Sequence, residues 1–366
     1  MGIGAGFDDY AGDRHWARRR HDRGKAPSRL RRGRRNRRAG LANGLIVLLC
    51  LLAAPLWAEP LRIATFNTEL TRKGPGLLLR DVLRSEKQVM AVASVIAAAR
   101  PDAILLQGVD YDAQLLAARA LRDRVTEQGH FLQHVFAFPP NTGVPTGYDL
   151  NGDGRAEGPA DAHGYGRFAG QGGMVLLSRY PIAEAEDYSG LLWSELPWID
   201  RRALGRAWGV GGQGLRLASV GHWRVRISGP DGPLDLLGFH ATPPVFDGPE
   251  DRNGLRNKDQ LLFWAHLLDD LTGPFVLLGD ANNDPDKGEG LKMAINALLS
   301  HPRLTDPLAG QPTVDWRGLG LGWMRVDYVL PARELTVHDA GMAPAAPEAS
   351  RHRLTWADLG WAGSLP

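Results

Sequence analysis

The sequence predicts an α/β protein, on two observations. From Leu61 onward, short apolar runs alternate with longer segments of helical period. Three of the apolar runs also switch to polar residues at their C-terminal ends, as strands do when a sheet delivers side chains to a cleft. Taken in order, strands are expected at "LRIATFN", "AILLQG", "MVLLS", "WRVRI", "LDLLGFH", "FVLLGD", "RVDYVL" and "HRLTWADL". Helices fit "LRSEKQVMAVASVIAAA", "AQLLAARALRDRVTE" and "NKDQLLFWAHLLDDL". No repeat of solenoid period and no linker composition interrupts the chain, so one domain is expected over residues 59–366.

Residues 1–58 form a different region. The chain has 43 Lys and Arg against 41 Asp and Glu, a net +2, but the charges are unevenly spread. The first 40 residues hold 13 basic and 4 acidic side chains, and none is charged between Leu41 and Ala58, so the remainder carries 30 basic and 37 acidic residues, a balance of −7. A basic run followed by "LANGLIVLLCLLAAPLWAEP" is expected to be an n-region and signal peptide with cleavage after Ala58 and export to the periplasm or medium. An uncleaved N-terminal anchor is the competing expectation. "RRNRRAG" also has the look of a weak twin-arginine signal, or the true start lies further in. The lone Cys50 falls in the apolar run after Leu49, which does not suit lipidation, and leaves the remainder without thiol or disulfide. The acidic remainder disfavours sequence-independent capture of long nucleic acid, which normally takes a basic groove.

The strand ends supply the candidate chemistry. Asn67, His240, Asp280, Asn282, Asp327 and His352 are acids, amides and imidazoles at the edges of separate apolar runs. This combination suits a hard divalent cation held by oxygen ligands, with two histidines to handle protons, and phosphoester cleavage needs both. No P-loop, cysteine nucleophile or His-x-x-x-His pair on a helix offers another chemistry.

The ordered set "FN", "HATPP", "GDAN", "RVDYVL" and "SRH", with "QGGMVLLSRYPI" between, resembles the endonuclease/exonuclease/phosphatase superfamily, the deoxyribonuclease-I-like fold, from about Leu61 to Leu359. The resemblance implies a four-layer α-β-β-α sandwich of two packed mixed sheets flanked by helices. It implies an exported hydrolase using Mg²⁺ or Mn²⁺ and activated water, acting as a monomer, with no protein partner, on nucleic acid, a small phosphorylated molecule or a lipid head group. Asn67 would hold the metal, His240 would stabilise the phosphoryl group, and Asp280 would orient or deprotonate water. Asn282 would bind a phosphate oxygen, and Asp327 would orient His352.

Two positions depart from the family pattern. Gly108 stands where the family places a metal-binding Glu, and Arg351 where it commonly places an Asp. On strand parity, Asp110 would project to the same face about 6–7 Å from residue 108 and replace the missing ligand, with Asp112 as the further candidate. Arg351 would contact substrate phosphate through its donor fork, or pair with Glu348 or Asp358. Loss of the two acids also opens the alternative of a catalytically reduced, ligand- or partner-binding protein. The polar loop after His240 offers Arg252, Asn253, Arg256 and Asn257 to phosphate or sugar, or serves only as a surface loop. "DLNGDGRAEGPAD" spaces Asp149, Asn151 and Asp153 as a calcium loop does, with Gly154 at its sixth position, or forms an ordinary turn. His222 and Trp223, at a strand start, fit a site or simple packing equally.

Overall fold

A computed structural model describes residues 59–361, the side chain of Val210 excepted; the expected export segment lies outside them. Among the described residues no helix is long and apolar enough to cross a membrane. The described residues belong to one compact unit.

The strands assemble into two mixed sheets. The first contains β1 (Leu61–Asn67), β2 (Ala103–Val109), β3 (His134–Phe136), β4 (Gly173–Ser178), β12 (Leu335–Met342) and β13 (Thr355–Trp361), in the order β12-β13-β1-β2-β4-β3. The second contains β5 (Ile182–Asp187), β6 (Gly221–Gly229), β7 (Gly232–His240), β8 (Phe275–Asp280) and β11 (Asp327–Pro331), in the order β11-β8-β7-β6-β5. One parallel pair sits in each sheet, β1 with β2 and β7 with β8. A separate hairpin joins β9 (Val314–Trp316) to β10 (Gly322–Met324).

Alternation along the strands builds three cores. Leu61, Ile63, Leu105 and Leu176 of the first sheet meet Leu234, Leu236, Val276, Leu278 and Val329 of the second. The opposite faces are closed by helices. Ala64, Phe66, Ile104 and Leu106 pack under α1 (Leu77–Leu83), α2 (Lys87–Ala99) and α3 (Leu116–Glu127). Leu237, Phe239, Leu277 and Tyr328 pack under α4 (Arg201–Trp208), α5 (Arg252–Asp270) and α6 (Lys292–Leu299). The result is the expected α-β-β-α sandwich. The edge strands β3, β5 and β12 and helices α1, α4 and α6 were not among the expected elements; β5 is exposed along nearly its whole length and has no buried face to mark it.

Parity also locates the site. Asn67, His240 and Asp280 are each an even number of residues from inter-sheet core positions on the same strand, so they face the space between the sheets. β2 breaks this rule. Its pairing with β4 shifts register between Gln107 and Val109, and Gly108 there has φ +70°. That bulge turns the strand, so Asp110 does not share a face with residue 108 as an uninterrupted strand would require.

A side chain at 108 is excluded by geometry: a Cβ would lie 2.9 Å from Asn67 Oδ1 and 3.1 Å from the Glu69 amide nitrogen. Gly108→Ala should therefore cost about 1–3 kcal/mol in urea denaturation through its left-handed backbone and this contact, whereas Gly190→Ala, where a Cβ meets nothing within 4 Å, should cost far less. Equal losses would show that the bulge is not constrained.

Candidate active site

Strand register places three of the candidate groups side by side. His240 pairs with Asp280 across β7 and β8, and Asp280 pairs with Asp327 across β8 and β11. From the other sheet, Asn67 at the end of β1 donates its Nδ2–H to Asp280 Oδ2 at 2.9 Å. Asn282, in the left-handed region with φ 49°, donates its backbone N–H to Asp280 Oδ1 at 2.8 Å and its amide to the Ala241 carbonyl at 3.0 Å.

His352 arrives on the segment before β13. Backbone bonds from Asp315 N to Arg351 O and from Arg353 N to Thr313 O lace that segment to β9. The His352 Nδ1–H donates to both Asp327 oxygens at 2.9 and 3.1 Å, and Trp316 packs edge-on against its ring. Thr313 in turn accepts from the Val326 and Asp327 N–H groups, which fixes the carboxylate bearing His352. Sequence pattern offered no sign of Thr313, because a hydroxyl in a loop becomes a support only through the fold.

Burial sets opposite charge states here. Desolvation opposes charge on His352, but the charge of Asp327 and the hydrogen bond that His352 donates to it outweigh burial and raise the imidazole to about 9. Asp280 is driven well above the usual carboxylate range by burial and by the neighbouring Asp327. His240 is held neutral by burial and by repulsion from His352; its Nε2 lies 3.6 Å from Asp280 Oδ2 and its Nδ1 has no partner. Paired groups with displaced proton affinities mark a site built for proton transfer.

Asn67, His240, Asn282 and His352 line a cavity of about 260 Å³ together with Glu69, Asp284, Lys287 and Arg351, and Asp280 and Asp327 lie buried behind them. One wall is apolar: Phe246 is 89% exposed, Leu319 61% and Leu321 49%, and all three line the cavity with Trp316 and Met324.

Several candidates fall elsewhere. Asp110 is buried and accepts from the N–H groups of Arg72 and Gly172, both at 2.9 Å, so it ties two loops together and does not reach the cavity. Asp112 caps α3 by accepting from the N–H groups of Leu116 and Ala117. Neither is placed as a metal ligand, and the cause is the bulge at Gly108. Arg256 is 3% exposed, with its guanidinium spent on the carbonyls of Leu217, His163, Arg216 and Ala218, so it cannot bind substrate phosphate. Burial lowers it to about 9. Arg252 and Asn253 likewise donate to the carbonyls of Leu150 and Val245, and Asn257 to those of Thr242 and Ala281. His222 stacks on Phe263 at 5.0 Å in the core, a packing role. Asp149 accepts from the N–H groups of residues 152, 153 and 154, Asn151 from that of Asp153, and Asp153 from that of Arg155. The loop turns on itself at the surface, outside the cavity lining.

Arg351 pairs with neither Glu348 nor Asp358; Asp358 is taken by Arg62. Its partner is Glu69, two residues past Asn67, to which it donates from its backbone N–H at 2.9 Å and from Nε at 2.8 Å, with a further bond from Nη2. Glu69 was not singled out in the sequence, although an acid two residues beyond a site asparagine at a strand end was a legible signal.

Donor chemistry limits where a divalent ion fits. Around Gly108 no free carboxylate remains: Asp110 and Asp112 hold backbone, and Glu69 accepts from Arg351 and Ser350. Among the described residues, only Asp280, Asp327 and His352 bring three acid or imidazole ligand atoms within 4.8 Å of one another.

A family model described as "Endonuclease/Exonuclease/phosphatase family" matches residues 64–352. Among curated proteins none matches. Two solved structures resemble the fold: an endonuclease/exonuclease/phosphatase from Beutenbergia cavernae, at 20% identity over 84% of this chain and 73% of the other with TM-score 0.56, and an endonuclease/exonuclease/phosphatase family protein from Leptotrichia buccalis, at 15% identity over 82% and 100% with TM-score 0.52.

His352 gives a pH signature. Its folded value of about 9 lies above its unfolded value of about 6.5, so its stabilisation is complete below the unfolded value and lost as pH rises through the folded one. In EDTA, the melting-temperature gap between wild type and His352→Gln should shrink from pH 7 to 10. A constant gap would rule out a charged His352–Asp327 pair.

Proposed function

The chain belongs to the endonuclease/exonuclease/phosphatase family, and on that premise we propose that it is an exported phosphoester hydrolase acting by direct attack of water. Members of this family are generally phosphoester hydrolases. The observation that carries the reading for this chain is the joined set Asn67–Asp280 and Asp327–His352, of which Asn67 and His352 line the cavity and the two acids lie buried behind them.

Asp280, with its raised proton affinity, orients the attacking water and takes its proton near neutral pH. The bond from water oxygen to phosphorus forms as the ester P–O bond breaks, and His352, charged beside Asp327, returns a proton to the leaving oxygen. His240 and the Asn282 amide are placed to donate to phosphoryl oxygens as charge grows. A divalent ion, Mg²⁺ or Mn²⁺, would be held by Asp280, Asp327 and His352 only with His352 deprotonated, and would supply positive charge to the attacking water.

The apolar wall of Phe246, Leu319 and Leu321 favours a phosphoester with an apolar organic part over a nucleic acid polymer, which agrees with the acidic balance of the chain beyond residue 58. The N-terminal basic and apolar segments support export. For calcium at the Asp149 loop the support is Asp161 at its far end, 1% exposed, with Oδ1 accepting from the Leu150 N–H and Oδ2 unpartnered. A buried carboxylate oxygen without a donor suits a bound cation.

Three outcomes are expected. The full chain should hydrolyse bis-p-nitrophenyl phosphate or p-nitrophenyl phosphate better than plasmid DNA, and Asp280→Asn or His240→Ala should lower kcat/KM by about 10²-fold or more. No turnover with Mg²⁺, Mn²⁺ or EDTA would favour a ligand-binding protein. Millimolar Ca²⁺ should raise the wild-type melting temperature and leave Asp161→Ala unmoved; equal shifts would remove the calcium site.

A further inference from the structure

The cavity is lined by three carboxylates, Glu69, Asp284 and Glu289, and by two basic side chains, Lys287 and Arg351. With the charged His352 the lining carries three cations against three carboxylates, so a phosphate entering it is held only where a cation faces it. Lys287 gives one of its three N–H groups to the Trp323 carbonyl at 2.9 Å and otherwise holds its charge as an unbraced point on an exposed side chain. Arg351 is placed differently. Nε and Nη2 both bond Glu69 Oε1, while Nη1 makes no hydrogen bond among the described residues, so one edge of the guanidinium is anchored and the other keeps its donors. The side chain is half-exposed and lines the cavity beside His352.

The anchoring is more than a surface ion pair, which would contribute little. Glu69 sits in the left-handed region at φ 51°, an uncommon state for a glutamate. Ser350 Oγ bonds both the Asn67 carbonyl and Glu69 Oε2, and also accepts the His352 N–H. The pair is thereby tied to Asn67 on one side and His352 on the other. Burial works against charge on Glu69, and the bonds from Arg351 more than offset it, so the carboxylate stays ionised. Gly108 completes the arrangement, since a side chain there would collide with Asn67 and Glu69.

We propose that Arg351, braced by Glu69, is the phosphate-binding cation of this site, so that the protein captures a phosphoester without a metal ion bridging it to the phosphate. The inference rests on reading the cavity as a phosphoester site. A guanidinium offers a planar pair of N–H donors that matches two phosphate oxygens, and its charge persists at every working pH.

The test is titration calorimetry of the full chain with inorganic phosphate in EDTA, with bis-p-nitrophenyl phosphate hydrolysis run on the same preparations. Wild type should bind phosphate in EDTA, and Mg²⁺ should change the affinity less than twofold. Arg351→Ala should weaken binding about tenfold or more, the loss of at least one charge-assisted hydrogen bond. Arg351→Lys should recover part of it, and Glu69→Gln should weaken binding with the fold intact by circular dichroism. Phosphate binding that appears only with Mg²⁺, or that survives Arg351→Ala unchanged, would overturn the proposal even if the protein is an active hydrolase. Arg351-dependent binding without turnover would uphold the phosphate site and overturn the hydrolase reading alone.

Discussion

A buried hydrogen bond from Asn67 Nδ2 to Asp280 Oδ2 joins the two sheets at the level where their shared core gives way to the cavity. Beneath it the sheets are held by apolar contact, close enough that a Cβ on Gly238 would lie 3.0 Å from Leu105. Above it the inward-facing positions are polar. The bond also divides the pair: it fixes the Asp280 carboxylate, while Thr313 and His352 fix its neighbour Asp327. Leaving either acid unsupported at this depth would be costly, so catalytic geometry and inter-sheet packing depend on one another.

Much of this could be read from the residues alone. Asn67, His240 and Asp280 are the polar ends of otherwise apolar strands, in phase with core residues such as Ile63, Leu236 and Leu278, and a period-two pattern is a local property that a sequence displays. The helices under each sheet were legible for the same reason. Short exposed strands such as β5 were not, because their stability comes from a neighbour and not from their own alternation.

The errors share a cause. Asp110 looked like a displaced ligand on the assumption that β2 stays extended, and one bulge at Gly108 sends it to the N–H groups of Arg72 and Gly172. Arg256 looked like a recognition residue in a polar loop, yet its position on α5 turns it inward to four backbone carbonyls. In both cases a polar side chain was satisfied by backbone groups distant in sequence. The missed Glu69–Arg351 pair joins positions 282 residues apart, and only the closure of β13 beside β1 brings them together.

The central claim is that phosphate sits between Arg351 and the Asp280–Asp327–His352 group. A crystal structure of the full chain grown with orthovanadate in EDTA tests it most directly. The account predicts vanadate in the cavity, with oxygens within hydrogen-bond distance of Arg351 Nη1, the Asn282 amide and His240. Vanadate bound elsewhere, or Arg351 turned from the cavity with its Glu69 bond broken, would contradict it.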